Sequence, residues 1–309
     1  MPKRATAFSP AGISSFFEIC DRTPDGKVIA DPERVGARGG GFSPDKGVST
    51  EVIVAEAEES QVQVVINGEN CPGAATTKSV VEMLTAKVSE NYAIKVIHQV
   101  DVPVGAGFGS SAAGALGAAL ALSKALGLNL TYIQLGRIAH VAEVKCKTGL
   151  GTVGPVLFGG CGLTLEPGAP GIACLDRIPV SSDYRLVLGT FRPYPTKELL
   201  SSQEKREIIN EWGRKTLKRI LVDPSLENFM GACKEFAVGT GFVTDNVQKL
   251  MELAEKAGAV GAAQNMLGEA AHALVTVDKM GDVYDAFRKV LPEEKIITAK
   301  IDFQGARIG

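Results

Sequence analysis

The sequence predicts a soluble globular chain that mixes helices with strands and divides into two domains, and three observations predict it. Hydrophobic residues make up 45% and charged residues 22% of the 309 positions, a balance that excludes disorder and collagen-like repeats and leaves apolar material for more than one core. Segments of alternating apolar residues and segments of helical period follow one another through the first half. Near Val180 the regime changes to a strand followed by a run of helical stretches. The domain boundary is placed there, giving residues 1–180 and 181–309.

Taken in order, Glu51 to Ala57 and Val62 to Ile66 are short apolar segments parted by charged residues, which predicts a hairpin. Val80, Val81, Leu84 and Val88 recur at helical spacing over Thr77 to Ser89, behind a threonine cap. Ile94 to Val102 alternates as a strand, and a helix is expected from about Ser111 to Leu126. A second begins near Thr131 with Leu135, Ile138, Ala139 and Ala142, which puts Glu143 near its C-terminal end. Thr148 to Gly162 is glycine-rich and breaks the period. Beyond the boundary come a strand at Leu186 to Phe191 and helices near Glu204 to Leu221, Leu226 to Val238 and Asn246 to Ala257. The apolar segment Leu267 to Val277, a helix near Val283 to Val290 and a last strand Lys295 to Ile301 close the chain.

Charge and cysteine usage narrow the partners. A formal net charge of −2 gives no reason to expect nucleic acid or an acidic membrane, so a small molecule is the expected partner. The six cysteines form no Cys-x-x-Cys pair and have no histidine at zinc spacing, which points to reduced thiols in the cytoplasm. Met1-Pro2-Lys3-Arg4 leads to Ser9-Pro10 without the apolar core of a signal peptide. The longest apolar run, Ala112 to Leu122, is too short to span a bilayer and reads as a buried helix. A homodimer is compatible with the residues.

The most informative stretch is Pro103-Val104-Gly105-Ala106-Gly107-Phe108-Gly109-Ser110-Ser111-Ala112, set between a strand and a helix. Glycines let the backbone approach an anion, and the N–H groups of a helix start point at negative charge. Two commoner phosphate motifs are excluded. A Walker A loop needs a lysine beside its final serine, and none is present. A dinucleotide fingerprint needs a third glycine where Ser110 stands and an acidic residue about twenty positions on, and the chain offers neither. The alternative is a tightly packed turn and helix with no ligand.

The stretch resembles the second signature of the GHMP kinases (galactokinase, homoserine kinase, mevalonate kinase and phosphomevalonate kinase), departing from it only in Phe108 for leucine. Ser9 to Glu18 resembles their first signature, and Gly258 to Gly268 a degenerate third, for which a loop followed by an apolar core helix is the alternative. Within the superfamily, Pro10 to Glu18, Gly36 to Phe42, Asp45 to Val48, the Ser-Ser loop and Ala142 to Gly151 are most similar to the archaeal pantoate kinases. The resemblance implies an α+β fold, with a ribosomal S5-like N-terminal domain and a ferredoxin-like C-terminal domain. It implies transfer of the ATP γ-phosphate to the primary hydroxyl of pantoate, giving 4-phosphopantoate for coenzyme A synthesis. Pro103, Gly105, Gly107, Gly109, Ser110, Ser111 and Ala112 would then cradle ATP, and Ser111 and Glu143 would hold Mg2+. For Glu143, a solvated pairing with Lys147 one turn on is the alternative.

Departures from the pattern accompany these matches. Mevalonate kinase and its relatives carry a catalytic aspartate seven residues before a Gly-Gly pair, and that count back from Gly159-Gly160 lands on Thr152. The first signature often carries a lysine or histidine where this chain has Gly12. Homoserine kinase also lacks the aspartate, and a loose phosphoryl transition state needs positioning more than a base. Thr152 is expected to orient the attacking hydroxyl by a hydrogen bond, since a threonine does not take a proton at neutral pH. Arg38 is the expected grip for the pantoate carboxylate, because a guanidinium binds carboxylate bidentately; a structural ion pair is the alternative. Arg192 is a weaker candidate for the same task. Ser14 and Ser15 are expected at the substrate hydroxyls or, alternatively, in turns. His98, His140 and His272 are read as structural. Two other functions compete: another small-alcohol kinase of the homoserine or mevalonate type, and a non-catalytic nucleotide-binding metabolite sensor.

Overall fold

The computed structural model describes residues 2–193 and 202–309, and its backbone forms three sheets. The first takes β1 (Lys3–Pro10), β4 (Gly47–Glu56), β5 (Gln61–Ile66), β6 (Glu69–Asn70), β7 (Tyr92–Val100) and β14 (Arg307–Ile308), in the order β14-β1-β4-β7-β5-β6. The expected hairpin is therefore opened. β7 lies between its two arms, antiparallel to β4 from Val48↔Val100 to Glu56↔Tyr92 and parallel to β5 from Gln61↔Ala93 to Ile66↔His98. Alternation identifies a strand's buried face and leaves its partner open.

Three helices cover this sheet: α1 (Ala75–Thr85), α2 (Ser110–Leu126) and α3 (Tyr132–Cys146). α1 starts before Thr77, with Ala74 as a cap that lends no side-chain bond. The expected threonine cap is instead inside the helix, its hydroxyl 3.1 Å from His98 Nε2. α2 is buried from Ala112 to Ala121 on every side, as an Ala/Gly/Leu helix between a sheet and two neighbours must be. A capping box of Thr131 and Gln134 starts α3. Within the glycine-rich stretch a short helix, α4 (Val153–Phe158), forms with Pro155 in its first turn, where a missing N–H costs little.

The second sheet, β2-β3-β8-β9, is antiparallel and built from Ile13–Cys20, Gly36–Phe42, Cys161–Glu166 and Cys174–Ile178. α5 (Gln203–Val222) and α6 (Leu226–Gly239) pack on one face, where Phe16 and Phe42 meet Phe229 edge-on at 6.3 and 5.4 Å. The third sheet, in the order β11-β12-β10-β13, uses Gly261–Gln264, Gly268–Thr276, Tyr184–Pro193 and Ile296–Lys300. It buries Val187 and Val275 against Leu250 of α7 (Asp245–Lys256) and Phe287 of α8 (Met280–Arg288). The apolar Leu267–Val277 segment is mostly strand β12 rather than a core helix. No helix among the described residues is long and apolar enough to cross a membrane.

Candidate active site

The strand β7 delivers the chain into the glycine loop, and the loop ends on the first turn of α2. Gly105, Gly107 and Gly109 all take positive φ (+76°, +80° and +58°), which side chains rarely tolerate. Gly109 is also the N-cap of α2, and the space a Cβ would need there is taken by Gly12 O at 2.8 Å and Thr152 Cγ2 at 2.7 Å. The loop is thus held from behind by β1–β2 and by the start of α4. Its open side keeps Gly105 exposed and Ser110 and Ser111 half-buried.

Ser111 and Glu143 meet. The serine hydroxyl donates to Glu143 Oε1 at 2.5 Å, and Thr148 Oγ1 donates to the same oxygen at 2.6 Å. Thr76 of α1 is in turn 2.9 Å from Thr148 Oγ1. Glu143 is 3% exposed. Burial pushes its carboxyl above the ordinary carboxylate range, while the bonds from Ser111 and Thr148 pull it back. Lys147 is the exposed left-handed C-cap of α3, so the surface-pair alternative does not describe this carboxylate. A Cβ at Gly149 would fall on Glu143 Oε2, so only glycine leaves room for that oxygen. One buried carboxylate and one hydroxyl, all oxygen, suit Mg2+, which completes its shell with phosphates and water. No group of three or more His, Cys, Asp or Glu suited to a metal occurs among the described residues.

Thr152 is the N-cap of α4 and gives no side-chain cap bond. Its methyl group occupies the space that a side chain at Gly12 would need, together with Val156 Cγ1. The third glycine-rich segment also reaches the loop: Asn265 fills the face of Gly107, and Gly268 packs on Ala106 O.

A scan of the sequence against known families matches the GHMP kinases N terminal domain over residues 75–160. Pantoate kinase of Methanocaldococcus jannaschii is 31% identical over 279 residues, covering 90% of this chain and 94% of that one. Pantoate kinase of Thermococcus kodakarensis is 34% identical over 274 residues, 87% of either chain. The chain belongs to the pantoate kinase family. A solved phosphotransferase related to the CoA biosynthesis pathway superposes on this family member with a TM-score of 0.88 at 30% identity, over 99% of this chain and 98% of that one. The α+β two-domain GHMP kinase fold of the pantoate kinases is therefore that of this chain.

The pantoate-side candidates of this pantoate kinase family member are placed differently from the loop. Arg38 donates from Nε to Leu165 O at 3.0 Å and pairs with Glu18 at 3.3 Å and Glu166 at 2.8 Å. Its neighbour Ala37 faces Gly151, whereas Gly40 and Phe42 face the α6 side. Successive strand residues alternate, so Arg38 lies on the face away from Thr152, in the ion-pair arrangement. Arg192 pairs through Nε with buried Glu269 at 2.5 Å. Ser15 is 0% exposed with its hydroxyl 2.9 Å from His272 Nε2, which takes it out of reach of a substrate hydroxyl. Ser14 is half-buried, and its side chain makes no hydrogen bond among the described residues. His98 and His140 are buried and bonded, to Thr50 and Thr77 and to Val35 O.

Sequence reasoning missed Thr148 and Thr76, which orient Glu143. Thr148 carried a signal, since it follows the carboxylate by five residues at a helix end; Thr76 carried none.

Proposed function

We propose that this chain phosphorylates the primary hydroxyl of pantoate with ATP, and that the Ser111–Glu143 contact at the start of α2 is the centre of its phosphate site. That contact carries the reading, because a hydroxyl and a buried carboxylate meet where the N–H groups of a helix start attract phosphate. The backbone of Gly105 to Ser111 would bind the phosphates, and Ser110 and Ser111 would orient them. Ser111 and Glu143 would hold Mg2+, which when bound neutralises phosphate charge. Thr148 and Thr76 keep Glu143 turned toward Ser111.

Thr152 acts by contact. Its methyl group fixes Gly109 against Gly12, and its hydroxyl would orient the attacking hydroxyl without acting as a base, which a loose transition state tolerates. Ser14 is the first-signature residue proposed on the substrate side. We place the domain boundary near Val180, between β9 and β10. The six free cysteines suit a reducing cytoplasm.

Product analysis after incubation with ATP, Mg2+ and pantoate tests the reading. A phosphate ester stable to hydroxylamine, with one ADP released per ester, is expected. A hydroxylamine-labile acyl phosphate, or ADP release that does not depend on pantoate, would overturn it.

A further inference from the structure

Ser15, His272 and Asn265 come from β2, β12 and the turn after β11, and all three are 0% exposed. Ser15 Oγ is 2.9 Å from His272 Nε2, and His272 Nδ1 is 2.9 Å from Asn265 Oδ1. An amide oxygen only accepts, so Nδ1 carries the ring hydrogen and Nε2 accepts from the serine. The chain of bonds therefore runs one way, from Ser15 through His272 to Asn265. Complete burial keeps it from acting as a hydrolytic triad, since no substrate reaches the serine. Its far end touches the phosphate loop instead. Asn265 fills the face of Gly107 where a Cβ would stand, its Cβ and carbonyl oxygen both 3.0 Å from that point. Met266 N donates to Ser14 O at 2.8 Å and ties the same turn to β2.

Asn265 Nδ2 is buried with no hydrogen-bond partner among the described residues. Its amide is thus oriented by His272 alone. On the other side, Phe42 lies edge-on to the imidazole at 6.0 Å. The titratable neighbour is Cys233 of α6, whose thiol burial pushes well up. Burial also holds His272 neutral, its pKa down to about 3. The direction of the bonds is therefore that of the neutral ring at neutral pH.

We propose that the Ser15–His272–Asn265 chain is a positioning device for the phosphate loop, in which Asn265 braces Gly107 and the two buried partners hold Asn265 in place. These are positioning residues that touch neither substrate nor nucleotide. The proposal rests on the phosphate-site reading above, and its test has a readout that does not depend on catalysis.

Amide hydrogen exchange over residues 104–112 is compared in the wild type, Ser15→Ala and Asn265→Ala, alongside binding of a non-hydrolysable ATP analogue and steady-state kinetics. Loss of one neutral hydrogen bond predicts exchange in the loop faster by about three- to tenfold in either variant, with β7 and α3 unchanged. Analogue affinity and kcat fall by a similar factor while pantoate KM stays constant. The double variant is no worse than the weaker single one, because the residues act as a unit. Asn265→Asp supplies a second line, since a carboxylate at Nδ1 favours the imidazolium, whose Nε2 can no longer accept from Ser15. That variant gains an acid limb in kcat that the wild type lacks. Loop exchange and analogue affinity both at wild-type values in folded Ser15→Ala would overturn the proposal. Changed loop exchange with no pantoate turnover in any protein would retain it and overturn the kinase reading.

Discussion

Thr152 Cγ2 occupies the space that any side chain at Gly12 would need. The two departures from the aspartate-bearing GHMP pattern are therefore one packing arrangement: with Thr152 at the start of α4, only glycine fits at position 12, and both press on Gly109. Thr152→Val keeps those methyl contacts and removes only the hydroxyl. It is expected to lower kcat by no more than about tenfold, the worth of a neutral hydrogen bond of about 0.5–1.5 kcal/mol. A general base contributes about 10²–10⁴-fold, so a thousandfold loss with both substrates still bound would put Thr152 in a proton relay.

Ser111→Ala and Glu143→Gln are expected to lower kcat by at least about a hundredfold, because contacts made through the metal strengthen as charge moves onto the transferred group. Pantoate KM should stay nearly constant. Steady-state kinetics at saturating ATP checks this, and a raised pantoate KM with unchanged kcat would move the pair to the substrate side.

Glu143→Gln should also make the protein more heat-stable. Burial raises the Glu143 carboxyl above its unfolded value, so the fold favours the protonated acid. The resulting penalty is absent below the unfolded pKa, accumulates as pH rises toward the raised folded value, and persists above it. The Tm gain of the glutamine variant should therefore be small near pH 4 and larger at pH 7–8. A variant less stable than the wild type at pH 8 would contradict the assignment.

Arg38→Ala should act on stability. Glu18, whose side chain is 7% exposed, would keep Arg214 at 3.0 Å and lose its second cation, and truncating one partner of a charged pair costs about 1.5–3 kcal/mol. Denaturant melts should report that loss, with pantoate KM within about threefold. A tenfold or larger rise in pantoate KM with unchanged stability, the effect of a lost charged contact, would instead make Arg38 a substrate ligand.

What the sequence revealed was local. The glycine loop is legible because its geometry is set by consecutive residues, and Glu143 because helical spacing from Leu135 places it at the end of α3. Gly36–Phe42 is hidden as a strand because glycine is depleted in strands, yet here it lets Leu163 and Phe16 close over Gly40. The side of β3 that Arg38 faces, and the insertion of β7 between β4 and β5, depend on pairings that alternation does not encode. His272 is 257 residues from Ser15, and no spacing rule connects them.

The phosphate site at the start of α2 is assigned to pantoate. The most direct test of that assignment is kcat/KM measured under one set of conditions with pantoate, homoserine and mevalonate as acceptors. Pantoate is expected to exceed the other two by at least about a hundredfold, a difference of about 2.7 kcal/mol in transition-state binding. Homoserine or mevalonate turning over a hundredfold better than pantoate, again about 2.7 kcal/mol, would contradict it.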